Sequence, residues 1–195
     1  MSDDFQIIRA VLDGDREAYS DLVLAYHSRV RGLCRSLLLD SAEADDAAQD
    51  VFIKAFESLH QYRQDLSFMA WLYRIASNHC LDVLRKRKRR KTDSLDGLMD
   101  QQGDHFLMAP SEGMDAGAAK GDKADRVKLA MQVLSSLSEE QRQILVLREL
   151  DGLSYEDIGT VLHCSLDGVK ARLRRARQKL QEKSRHFLGQ QSFIK

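Results

Sequence analysis

Lys170, Arg172, Arg174, Arg175 and Arg177 fall within eight consecutive positions. Ammonium and guanidinium groups at this density neutralise phosphate oxygens, and the guanidinium fork also matches guanine edges. The residues before them set the geometry. Ser154 can cap a short helix over Tyr155–Leu162, His163 and Cys164 make a tight turn, and Ser165 can cap a second helix. On that second helix the spacing puts Leu166, Val169, Leu173, Ala176 and Leu180 inward, and Lys170, Arg174 and Arg175 outward. This is helix-turn-helix logic, in which the second helix enters a DNA major groove. The plainer alternative is a solvated basic helix in an ordinary bundle. Residues 165–195 carry nine basic and two acidic side chains, which favours a polyanion partner.

A second basic locus is Arg85–Lys91, seven cationic residues in a row. Such a run also serves as a solvated helix end or a membrane-surface patch. Here it follows Tyr62, Phe68, Trp71 and Tyr73, and aromatic rings beside positive charge suit unpaired bases. Phe68 and Trp71 suit a hydrophobic core equally well. The carboxylates Asp45, Asp46, Asp50 and Glu57 invite a metal reading, but acids near a helix start also complement its dipole. His79-Cys80 and His163-Cys164 are adjacent pairs, whose side chains diverge by about 100 degrees on a helix. Core packing or a turn role suits them better than chelation. No phosphate-binding glycine loop, His-Glu-x-x-His pattern or nucleophile elbow occurs.

Helices must position these groups. The 195 residues hold one proline, Pro110, and little strand-like alternation. An all-α chain of two small helical domains is predicted. Asp3 or Asp4 can cap a first helix that ends at Gly14, and Asp15 can cap the next. Tyr19, Leu22, Val23, Tyr26, Val30, Leu33 and Leu37 form a long apolar stripe. Ser41 can start a third helix whose stripe is Ala48, Val51, Phe52, Ala55, Phe56 and Leu59. Ser67 can cap a fourth, with Phe68, Leu72, Ile75, Ala76, His79 and Val83 inward. Residues 5–91 thus make one bundle. Residues 92–126, rich in Asp, Gly, Ser and Gln, read as a flexible acidic linker. A second domain over 127–186 opens with a helix from Arg126 to Leu137 that buries Val127, Ala130, Val133, Leu134 and Leu137. Ser138 and Gln141 then form a capping box, and Gly152 ends that helix.

The net charge is zero, but it is segregated. Residues 1–84 carry −6, Arg85–Lys91 carry +7, residues 92–126 carry −5 and residues 127–195 carry +4. Two polyanion contacts joined by a segment that avoids polyanions follow from this pattern. No apolar run approaches the roughly 20 residues that span a bilayer. Three separated cysteines, Cys34, Cys80 and Cys164, fit neither a disulfide framework nor a zinc ribbon, and suit a reducing cytoplasm.

Together these stretches resemble the extracytoplasmic-function (ECF) group of RNA polymerase sigma factors. The resemblance rests on Asp46–Phe56 followed by Phe68–Asn78, and on Leu137–Arg142, Leu147–Ile158 and Gly168–Arg177. It implies that residues 5–91 are sigma region 2 and 127–186 region 4. Asp46, Gln49, Asp50, Ile53 and Lys54 would grip core RNA polymerase. Tyr62, Arg63, Gln64, Asp65, Ser67, Trp71, Arg74 and Asn78 would read the −10 element as single-stranded DNA, with Arg85 and Arg89 on its backbone. Lys170, Ala171, Arg174 and Arg175 would read the −35 duplex. Arg148, Ser154, Tyr155, Arg172 and Arg177 would support that contact, the arginines on phosphates. The resemblance further implies an anti-sigma partner, and no catalytic residue, metal or cofactor. Ser138 stands where the family usually has proline, and His163 where the turn commonly has glycine. Two rivals differ in class. A stand-alone helix-turn-helix regulator would need a dimer seam, and a nuclease built on Asp45, Asp46 and Asp50 would need metal.

Overall fold

The computed structural model describes residues 3–63, 65–95 and 130–191. The predicted linker therefore lies almost wholly outside the described residues, as do Gln64, Arg126 and Val127. The described residues form α1 (Asp3–Leu12), α2 (Tyr19–Leu38), α3 (Ser41–Ser58), a single 3₁₀ turn (Leu59–Gln61) and α4 (Phe68–Leu95). A short helical stretch α5 (130–135) follows, then α6 (Glu139–Leu145), which runs into a π turn over Val146–Leu150. The last two helices are α7 (Tyr155–Leu162) and α8 (Leu166–Gln191).

Helices α2, α3 and α4 pack on one another as the first bundle. Leu22, Val30, Leu33 and Leu37 of α2 meet Ala48, Val51 and Ala55 of α3 and Leu72 and Ala76 of α4. The α3 side supplies mostly small residues, which lets the helices approach closely. Helices α6, α7 and α8 form the second unit around Ile144, Leu147, Ile158, Val161, Val169, Leu173 and Ala176. The two units also touch. Helix α7 packs on α4, α6 reaches α2, and the buried side chains make one continuous core. At this junction the Ser67 hydroxyl donates to Asp157 Oδ1 at 3.0 Å. Tyr73 faces Asp151 there.

Local chemistry explains most of the boundaries. Asp15 Oδ1 accepts from the Glu17 and Ala18 amides just before α2. Ser67 Oγ accepts from the Ala70 amide at the start of α4. The capping box is complete: Gln141 N–H donates to Ser138 Oγ at 3.3 Å, and Ser138 N–H donates to Gln141 Oε1 at 3.2 Å.

Helix α3 does start at Ser41, and the residue before it, Asp40, caps it by accepting from the Glu43 amide. Several expectations are corrected. Asp4 lies inside α1, and its carboxylate accepts from the Tyr26 hydroxyl at 2.7 Å. Leu166 is 42% exposed, because it opens α8 before that helix meets the core, and Ala130 is exposed at the start of α5. Phe56 is partly exposed, its ring set against the edge of Tyr19. The π turn had no counterpart in the sequence reading. Its wider winding is closed by the Asp151 amide donating to the Val146 carbonyl.

Candidate nucleic-acid interface

The turn between α7 and α8 decides how the basic helix is presented. His163 adopts φ 49° and ψ 49°, the left-handed conformation that ends a helix. Histidine tolerates this better than most residues, so the turn closes without the usual glycine. Gly159 matters more: a Cβ there would lie 2.9 Å from the Cys164 carbonyl oxygen, which is backbone and has no room to yield. Ser154 Oγ caps α7 by accepting from the Asp157 amide, and Ser165 Oγ caps α8 by accepting from the Gly168 amide.

Helix α8 is thereby split in two. Val169, Leu173 and Ala176 are buried, while Lys170, Arg174, Arg175 and Arg177 are exposed and Ala171 and Arg172 are half-buried. Tyr155 and α8 border a groove of about 380 Å³ whose lining includes Lys170, Leu173, Arg174 and Arg177. The basic residues differ in what holds them. Arg177 is paired with Glu149 at 2.7 Å, which raises its pKa through that hydrogen bond. Arg148 lies 4.9 Å from the Tyr155 ring centre and donates to the Leu153 carbonyl. It braces the groove wall. Lys170 makes only a long 3.5 Å contact with Asp167, the acid that opens α8.

In the first bundle, the aromatic residues pack against one another, mostly edge to face. Phe68, Trp71 and Tyr62 have ring centres 5.5–5.6 Å apart, and Tyr26 lies edge-on to Phe68. Trp71 is 2% exposed, so in this arrangement its ring belongs to the core. The Tyr62 hydroxyl donates to the Leu66 carbonyl and fixes the loop before α4. Arg63 and Asp65 are exposed and paired at 3.7 Å, Asn78 is exposed, and Arg74 is half-buried. Within the basic run, Arg85 pairs with Asp82 and Arg87 with Glu43, while Arg89 and Arg90 are exposed.

Helix α3 shows Asp46, Gln49, Asp50, Ile53 and Lys54 to solvent on one side. Ile53 is 58% exposed among polar neighbours, so this face has both charge and an unburied apolar group. Asp45 stands apart: Arg31 grips it with two hydrogen bonds, which hold its carboxyl below the usual range. Sequence reasoning missed one residue here. His79, expected to be core packing, sits on α4 against this face: its Nδ1 is 2.6 Å from Lys54 Nζ and its Nε2 is 3.4 Å from Asp50 Oδ2. The partners are 25 and 29 positions away, so no local spacing signals the cluster.

Among the described residues no helix is long and apolar enough to cross a membrane.

Two family models match. Sigma-70 region 2 covers residues 22–90, and Sigma-70 region 4 covers residues 128–180. The chain is 38% identical over 182 residues to the RNA polymerase sigma-H factor of Pseudomonas aeruginosa, covering 90% of each. It is 32% identical over 187 residues to the ECF RNA polymerase sigma-E factor of Escherichia coli K12, covering 91% of this chain and 92% of that one. Among solved structures, CnrH in complex with the cytosolic domain of CnrY aligns with a TM-score of 0.65 at 25% identity, over 91% of this chain and 94% of that one. The sigma factor RpoE in complex with the anti-sigma factor NepR from Bartonella quintana aligns with a TM-score of 0.68 at 27% identity, over 85% and 95%. The two matched regions fall on the two helical units, and the alignments with these relatives run over about nine-tenths of this chain. The chain therefore belongs to the ECF group of RNA polymerase sigma factors, non-enzymatic subunits that bind core polymerase and serve transcription initiation.

Proposed function

We propose that this sigma factor acts in the cytoplasm and reads a bipartite promoter with its two helical units, residues 5–91 on the −10 element and 127–186 on the −35 element, joined by a linker over 92–126. The observation that carries this is the division of α8 into a buried apolar side and an exposed side with Lys170, Arg174 and Arg175. That face meets the −35 duplex in the major groove, with Ala171 against base edges and Arg172 on phosphate. Ser154 and Tyr155, at the start of α7, sit where a helix N-terminus meets a phosphate, and Arg148 and Arg177 flank the same groove.

In the first unit, the loop Tyr62 to Ser67, with Trp71, Arg74 and Asn78, takes the −10 strand after melting, and Arg85 and Arg89 hold its backbone. Capture of an extruded base offsets an unstacking cost of a few kcal/mol. Asp46, Gln49, Asp50, Ile53 and Lys54 form the polymerase-gripping face of α3. Polymerase fixes the distance between the two units, so the second DNA contact becomes intramolecular. Because solved relatives were captured with NepR and with the cytosolic domain of CnrY, we extend an anti-sigma partner to this chain.

The test is run-off transcription with bacterial core polymerase, this chain and a fragmented genomic library. Starts that share one two-part upstream sequence support the reading. Starts that share only a −10 sequence, and persist when α8 loses Lys170, Arg174 and Arg175, refute the −35 role.

A further inference from the structure

His79 is buried at its side chain to all but 11% and touches both charged residues at the end of the α3 face, Asp50 and Lys54. The two contacts are compatible with one state of the ring. A lysine ammonium only donates, so Nδ1 must accept from Lys54. The remaining proton of a neutral imidazole then sits on Nε2, which lies 3.4 Å from Asp50 Oδ2. The ring thus accepts from Lys54 on one side and sets its N–H edge beside the Asp50 carboxylate on the other. Lys54 and Asp50 are four positions apart on α3 and exposed, and the ring is an α4 group that touches both.

We propose that His79 is a positioning residue for polymerase binding: as the neutral Nε2–H tautomer it holds Lys54 and Asp50 in the orientation in which the α3 face meets core polymerase. The inference rests on the reading of α3 as that face. It carries a pH dependence. Four charged groups face the ring, Asp50 and Lys54 from α3 and Asp82 and Lys86 from its own helix. Burial and the lysines oppose protonation more than the aspartates favour it, so the ring titrates below the usual histidine range. Once it is protonated, Nδ1 no longer accepts, a like charge stands 2.6 Å from the ammonium, and Lys54 must turn away.

The experiment measures binding of the labelled full-length chain to bacterial core polymerase by fluorescence anisotropy, from about pH 8 down to about pH 5. Wild type, His79→Leu, His79→Gln, Asp50→Asn and Lys54→Met are compared. Loss of one ordinary oriented hydrogen bond corresponds to about a five- to ten-fold loss of affinity. His79→Leu is expected to bind that much more weakly at neutral pH, with less loss on acidification than wild type. His79→Gln, which can both accept and donate, recovers most of the neutral-pH affinity and stays flat. A His79→Leu profile that parallels wild type, while Asp50→Asn and Lys54→Met both weaken binding, overturns the role of His79 alone. If Asp50→Asn and Lys54→Met bind as wild type, the α3 reading falls and the proposal with it. Nitrogen-15 spectra of the wild-type ring at neutral pH decide the matter without a variant: an Nδ1–H tautomer overturns the proposal.

Discussion

Replacing Asp151 by asparagine removes one charge from the junction between the two helical units. Asp151 closes the π turn of the second unit and faces Tyr73 of the first in a largely buried junction. Burial raises the carboxyl from the ordinary 3.8 to about 6, outweighing the lowering effects of Tyr73 and Arg29. The folded value is the higher, so the stabilisation linked to the proton is complete below about pH 4 and is lost as the pH rises through 6. Between those two pKa values the charge states differ by about 3 kcal/mol. Asp151 keeps part of its surface in water, and screening reduces this to about 1–2 kcal/mol. Urea unfolding of the full chain, followed through its single tryptophan, Trp71, gives the readout. At about pH 7.5 Asp151→Asn is expected to be more stable than wild type by about 1–2 kcal/mol, and the difference closes as the pH falls to about 4.5. A difference that does not change with pH, or an asparagine variant weaker than wild type at pH 7.5, refutes the reasoning.

Three further outcomes follow from local geometry. His163→Gly relieves a left-handed residue at φ 49° and is expected to stabilise the second unit by about 0.5–1 kcal/mol in thermal unfolding. Ser138→Ala removes the acceptor for the Gln141 amide and is expected to cost about 1 kcal/mol in the same assay. Arg174→Ala and Lys170→Ala are expected to weaken −35 duplex binding by the polymerase-bound chain. Where the lost contact is to phosphate, the slope of log affinity against log salt falls by about 1; a purely base-specific contact leaves the slope unchanged.

The second unit was legible because its polar punctuation is strong. Ser138, Ser154 and Ser165 each sit one residue before a helix and each caps it, so the three starts needed no tertiary information. The π turn was not legible, since Val146 and Leu147 are ordinary buried helix residues whose types carry no signal for the wider winding. Trp71 shows a different limit. Its residue type fits a base-stacking pocket and a core equally, and only the rings of Tyr62 and Phe68 around it place it in the core of this arrangement. His79 could have been found only by pairing it with two residues on another helix, and periodicity within one helix carries no such information.

The junction between the two units combines apolar burial with costly polar groups. Phe68 and Trp71 stand at the start of the helix on which α7 docks, and the core runs without a break from one unit to the other, so docking buries apolar surface. Yet the polar groups there are poorly served. Asp151 faces Tyr73 in surroundings whose burial raises its pKa, and the Ser67–Asp157 hydrogen bond is exposed. A carboxylate held out of water is costly to keep charged, and opening returns it to water. That gain offsets part of the apolar loss and keeps the separation within reach of binding energy. On the proposed reading Ser67 belongs to the −10 loop and Ser154 and Tyr155 to the −35 contact. Docking through Ser67 and Asp157 therefore competes with promoter reading, and polymerase binding has to supply the difference.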